Sequence, residues 1–241
     1  MQQGSLSKWW VVARRELRVS FQSPLAYILL ALWMFIAGYF YVSILLGSGS
    51  SDMGPLVQNL IVLLLFIAPL LTMKLLAEER RAGTDELILT TPISPAQWVI
   101  GKYLGALGTW TLFTVASLIF PLVTSRLGAM AWGIVFGAYL GLWLFGAATL
   151  AAGLLATAVT DNQIVAAMLT FVIILFFYAT SWIAGSVSGP ISTLMQYVSM
   201  PNQFNNFSLG LITIRNLVYF VSVSVGFIFL AVRAVDMRRW A

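Results

Sequence analysis

Six charged side chains, Glu78, Glu79, Arg80, Arg81, Asp85 and Glu86, fall within nine positions of a chain in which 9% of residues are charged. Carboxylates and guanidinium groups at this density make charge-assisted hydrogen bonds to a complementary surface, and they need no cofactor to do so. Other chemistry has little to draw on. The chain holds no histidine and no cysteine, which removes disulfides, thiol chemistry, histidine ligands and Ser-His or Cys-His nucleophiles together. No H-E-x-x-H stretch and no aspartate pair within an apolar run occurs, so an intramembrane enzyme lacks its machinery. G-x-x-x-x-G-K-[ST] is also missing; this chain cannot cradle nucleotide phosphates in the P-loop manner. If ATP drives it, hydrolysis takes place on another chain.

Local signals shape the polar run. The helix before it can continue through Leu75 and Leu76 to about Arg81, where Gly83 supplies a stop because glycine tolerates the left-handed conformation. Along such a helix Glu78 could pair with Lys74, one turn earlier. Thr84 can cap a short second helix with Asp85 and Glu86 in its first turn, where acidic groups favour the dipole. That helix carries Leu87, Ile88 and Leu89, and Pro92 ends it. Ser94-Pro95-Ala96-Gln97 then reads as a capping box with proline at the first helical position. A solvated loop, a lipid-headgroup site and a docking knob for a soluble partner all compete for such a run. The two break-and-cap devices favour the docking knob, and the acidic excess disfavours an anionic membrane surface.

The elements that hold this run are apolar. Of 241 residues 60% are hydrophobic, and the mean hydropathy is +0.93; so little charge cannot cover a water-facing surface. A helix needs about 20 apolar residues to cross a bilayer core. Six stretches meet this: 25–46, 55–76, 96–123, 129–159, 164–185 and 215–233. Residues 1–24 lack the short apolar region of a cleavable signal peptide. With the N-terminus in the cytoplasm, eleven of the thirteen Lys and Arg residues fall inside, leaving Arg126 and Arg215 outside; this is the positive-inside bias. Residues 77–94 and both termini are then cytoplasmic. The net charge of +5 follows from this placement and does not imply nucleic acid.

Residues 5–22 read as an interfacial helix. Leu6, Trp10, Ala13, Leu17 and Phe21 share one face and Lys8 and Arg15 lie opposite, although Val12 and Val19 fall toward the basic side. Lys102 sits close enough to the start of the third span to snorkel. No acidic residue lies within a span, which disfavours an ion-coupled carrier. Gly101 and Gly105, and Gly133, Gly137 and Gly141, recur at four-residue spacing and let helices approach closely, either within one subunit or across a dimer seam. Asp161 and Asn162 fall in a tight turn and cap the fifth span or touch a partner. Residues 186–214 are too polar to span and too apolar for a solvated loop, so short re-entrant helices fit there. A lone membrane anchor that docks a cytoplasmic partner without moving anything would use the same polar run.

E-E-R-R-x-G-T-x-E-L-x-L-T-x-P, from Glu78 to Pro92, resembles the signature between the second and third spans of ABC-2 type transporter permeases. Arg14–Leu17 and Ser23–Tyr27 are similar to the start of the first span in that family. Asn202–Ile212, followed by Arg215–Phe220, looks like the gliding-motility type and the permeases that serve copper-enzyme maturation. That pattern often carries His-Phe where this chain has Gln203-Phe204. The resemblance implies an all-α, type V exporter-like permease in the bacterial inner (plasma) membrane. Residues 77–94 would be its coupling segment, touching an ATP-binding subunit through Glu78, Glu79, Arg80, Arg81, Gly83, Thr84, Asp85, Glu86, Leu87 and Pro92. ATP and Mg would be bound by that partner and no cofactor by this chain. The implied partners are a second permease copy, as a homodimer in preference to a heterodimer, two ATP-binding subunits, an extracytoplasmic protein of the gliding-motility type, and membrane lipid. Gln196, Pro201, Asn202, Gln203, Phe204 and Phe207 would form an outer gate, or an ordered cap that seals the bundle.

Overall fold

The computed structural model describes residues 6–48, 52–83, 93–186 and 188–238. Thr84, Asp85, Glu86, Leu87 and Pro92, with the short helix expected across them, lie outside the described residues. Among the described residues the chain is helical and contains no strand. Six helices are long and apolar enough to cross a membrane: Pro24–Gly47, Gly54–Arg81, Pro95–Leu127, Trp132–Val159, Gln163–Ser186 and Ile214–Met237.

Helix α1 (Leu6–Gln22) precedes them and ends at Ser23. Pro24, which has no N–H to offer, opens α2 (Pro24–Ser48). Helix α3 (Gly54–Thr72) buries Leu56, Leu60, Leu64 and Ile67, a stripe at helical spacing. It does not run unbroken to Arg81 as expected. Pro69 removes one backbone donor, and the Thr72 hydroxyl donates to the Ala68 carbonyl at 2.8 Å, competition that loosens a helix end. Residues 73–76 turn, and the chain resumes as α4 (Ala77–Arg81). Gly83 then stops it at φ +66°.

The third long helix is α5 (Pro95–Ser117) continued by α6 (Ile119–Leu127). Its start is the expected capping box: the Gln97 N–H donates to Ser94 Oγ, and the Ser94 N–H donates back to Gln97 Oε1. Helix α7 (Trp132–Val159) is the axis of the bundle, and α3, α5 and α8 (Gln163–Ser186) all pack on it. It can take neighbours all round because its sequence is rich in Gly and Ala. A Cβ on Gly146 would come within 2.1 Å of Trp110 Nε1, and one on Gly153 within 2.2 Å of Thr72 Oγ1; the missing side chains are what admit those contacts.

Two short helices, α9 (Pro190–Val198) and α10 (Met200–Ser208), precede the final long helix α11 (Ile214–Arg238). They differ in placement. Helix α9 buries none of its residues. Helix α10 turns into the bundle and buries Met200, Gln203, Phe204, Phe207 and Ser208 against α3, α7, α8 and α11. Gly137 and Gly141 make room there: Cβ atoms on them would lie 2.7 Å from Gly210 Cα and 2.4 Å from Phe207 Cβ. These glycines, with Gly101 and Gly105 on α5, serve packing within the chain, whereas Gly133 faces open space.

Candidate functional site

The run at Glu78–Arg81 divides into two pairs. Leu75, Leu76 and Ala77 are buried and anchor the chain. Glu79 and Arg80 follow Leu76 by three and four residues and share its inward face. Glu78 and Arg81 are exposed.

Glu79 meets a cation that hydropathy alone would place at the membrane surface. Lys102 does not snorkel. Its side chain is 6% exposed, and its Nζ lies 3.0 Å from Glu79 Oε1 and 2.7 Å from Glu16 Oε2. Arg15, at the solvent edge, stands 3.7 Å from the same Glu79 oxygen. Two carboxylates and two cations thus neutralise one another across α1, α4 and α5. A group of this kind is costly to desolvate, yet removing one member leaves a buried charge without compensation. It therefore fixes the register of three helices.

Helix α1 reaches this position by setting part of its surface on α5. Trp10 of the expected apolar stripe is 57% exposed, whereas Ala13 and Leu17 of the same stripe lie against α5. The side against α5 is Trp9, Val12, Glu16 and Leu17. Cβ atoms on Gly101, Gly105 and Gly108 would lie 2.6 Å from Val12 Cβ, 2.5 Å from Glu16 Cβ and 2.7 Å from Leu17 Cδ2. Val12, which disturbs the amphipathic pattern, is thereby explained: it packs on a glycine track.

Arg80 holds the opposite flank. Its side chain is 5% exposed, and Nη1 donates to the carbonyls of Ala158 at 2.6 Å and Thr157 at 3.2 Å. These lie in the last turn of α7, where carbonyls lack helical partners and a cation complements the dipole. Asp161 Oδ1 is 3.9 Å away. In the same turn Asn162 Oδ1 accepts from the Ile164 N–H at 2.9 Å and caps α8. The junction therefore ties α4 to α1 and α5 through Glu79, and to α7 and the α7–α8 turn through Arg80. Sequence reasoning missed Glu16 and Lys102 as site residues. Each is an isolated charge in an unlike setting, an acid among bases and a lysine in an apolar run, and that oddity was the available signal.

The other end of the bundle holds the residues expected of an outer gate. Phe204 and Phe207 are buried, and Phe145 gathers Phe204, Phe220 and Tyr178 at ring-centroid distances of 6.1, 5.9 and 6.0 Å. Gln203 is buried: its Nε2 donates to the Tyr197 carbonyl at 3.1 Å, and Asn216 Nδ2 donates to the Gln203 carbonyl at 2.8 Å. Gln196 and Asn202 are exposed, Pro201 is half-buried, and Ser181 Oγ donates to Asn202 Oδ1 at 3.1 Å. Arg215 stacks over Tyr197, 4.7 Å from the ring centroid.

Six apolar helices and a charged junction at one end define a multi-pass membrane protein whose polar contacts converge where α4 leaves the bundle. A family model described as ABC-2 family transporter protein matches residues 10–231, and the chain belongs to that family. Its members are transport components rather than catalysts, and membership implies association with an ATP-binding subunit. No curated protein sequence matches the chain closely enough to serve as a relative.

Proposed function

We propose that this chain is the permease subunit of a type V ABC exporter in the bacterial inner membrane, with both termini and the 77–94 segment in the cytoplasm. Two copies form the transmembrane unit. ATP and Mg sit on two separate ATP-binding subunits, and their hydrolysis drives export or force transmission across the bilayer. The observation that carries this reading is the division of labour in α4. Glu79 and Arg80 are bolted to α1, α5 and α7, while Glu78 and Arg81, beside them, face outward. A push received by the outward pair would pass through the inward pair to the bundle, not dissipate in a loop. Gly83 and the 84–92 segment complete the contact with the ATP-binding subunit. Phe204 and Phe207, with Gln196, Pro201, Asn202 and Gln203, close the pathway at the extracytoplasmic end. The Asn202–Ile212 pattern supports the gliding-motility subgroup and, with it, an extracytoplasmic partner on that face.

The test is the ATPase activity of the copurified complex. Glu78→Ala combined with Arg81→Ala should weaken association with the ATP-binding subunit by about tenfold, the scale of an interfacial charge pair, and should lower transport-coupled ATPase activity without unfolding the permease. A chain that only anchors its partner would show ATPase activity indifferent to these changes.

A further inference from the structure

A cavity of about 310 Å³ opens beside the junction, enclosed by α1, α2, α3, α4 and α5. Its lining combines two chemistries. Leu25, Ala26, Leu29, Leu70, Leu71 and Ala106 are apolar. Lys74, Glu78 and the Arg15–Glu16–Glu79–Lys102 cluster are charged. Water satisfies the charged lining but gains nothing from the apolar part; an apolar molecule suits the apolar part and strands the charges. An amphiphile satisfies both. The volume leaves room for a headgroup and the first stretch of one acyl chain.

The charges select the headgroup. Cluster residues Arg15, Glu16, Glu79 and Lys102 already neutralise one another. Lys74 and Glu78, four positions apart, would pair with each other on an unbroken helix. Among the described residues neither takes part in an ion pair; Lys74 stands in the turn at 73–76 and Glu78 in α4. One cation and one carboxylate therefore border the cavity with no ion pair inside the chain, Glu78 being the residue that also faces the proposed ATP-binding subunit. We propose that this cavity is a binding site for a zwitterionic aminophospholipid, its phosphate on Lys74 and its primary ammonium on Glu78. A primary ammonium donates hydrogen bonds to a carboxylate, which a quaternary choline cannot. A glycerol headgroup offers Glu78 only neutral hydroxyl donors and leaves its charge uncompensated. The bound lipid would wedge between α1 and α3 next to the junction and is distinct from any exported cargo, so the site stands whether or not the chain is a permease.

The full chain, reconstituted in bilayers of equal phosphatidylethanolamine, phosphatidylcholine and phosphatidylglycerol, is extracted and read by native mass spectrometry. Retention of one phosphatidylethanolamine per chain, favoured about tenfold over the other two, is the expected result for one additional charge-assisted hydrogen bond. Glu78→Gln, an exposed change that leaves the fold untouched, should erase the preference over phosphatidylcholine, and Lys74→Ala should lower retention of both. Ala106→Phe should empty the site by filling its apolar part. Equal retention of the three lipids, a preference for phosphatidylglycerol, or an unchanged preference in Glu78→Gln would each overturn the proposal.

Discussion

Lys102 shows how much one side chain can hold. It is the cation between Glu16 and Glu79, so Lys102→Ala leaves two carboxylates facing each other with only the more distant Arg15 to offset them. The expected loss is about 3–5 kcal/mol, the scale for breaking a buried ion pair from one side. Thermal unfolding of the purified chain in detergent measures it. Replacing the three inner members by Glu16→Gln, Lys102→Met and Glu79→Gln removes their charges together, leaves only the exposed Arg15, and should recover most of that loss. A triple variant as unstable as Lys102→Ala would show that the lysine stem, not its charge, matters. Arg80→Ala is a separate case. It frees two carbonyls at the end of α7 and should cost about 1.5–3 kcal/mol, while Arg80→Lys keeps the charge against the dipole but not the forked donor and should fall between. Hydrogen exchange at Thr157–Asp161 is the matching local readout, and it should quicken in Arg80→Ala.

At the scale of elements, the tightest joint is α1 on α5, a ridge of Val12, Glu16 and Leu17 set on Gly101, Gly105 and Gly108. Gly105→Ala places a methyl 2.5 Å from Glu16 Cβ, and neither backbone can yield without disturbing the ion pairs. Overpacking of this kind costs about 1–3 kcal/mol. Gly133→Ala on α7 meets nothing within 4 Å, so its stability should stay within about 1 kcal/mol of the parent. Comparing the two midpoints of unfolding separates steric contact from helix propensity. The same joint explains what the sequence could and could not reveal. Gly83 and the Ser94–Gln97 box were legible because their signals are local: a backbone sign and a three-residue spacing. Glu16 and Lys102 lie far apart in the chain, and their meeting depends on which face of α1 touches α5. Periodicity marks the apolar face containing Trp10; it carries no signal for the side with Val12 and Glu16, which three glycines on α5 admit. The break at 73–76 was hidden for a related reason, since Pro69 and Thr72 sit in an otherwise unbroken apolar run.

For the whole molecule, composition alone settled the class: a chain with 60% hydrophobic and 9% charged residues divides into apolar helices with polar ends. Helix α7 became the axis because its small residues let others crowd it, and α10 folds back to close one end with Phe204 and Phe207. The opposite end gathers the charge. The central claim is that this charged end is cytoplasmic and is gripped by an ATP-binding subunit at the outward residues of α4. The chain has no cysteine, so Arg81→Cys installs a single thiol there. The decisive measurement is thiol cross-linking of that variant in intact cells and in the copurified complex. The account predicts protection from membrane-impermeant reagents in cells and a cross-link to the ATP-binding subunit that ATP binding modulates. Labelling from outside the cell, or a thiol that never reaches such a subunit, would contradict it.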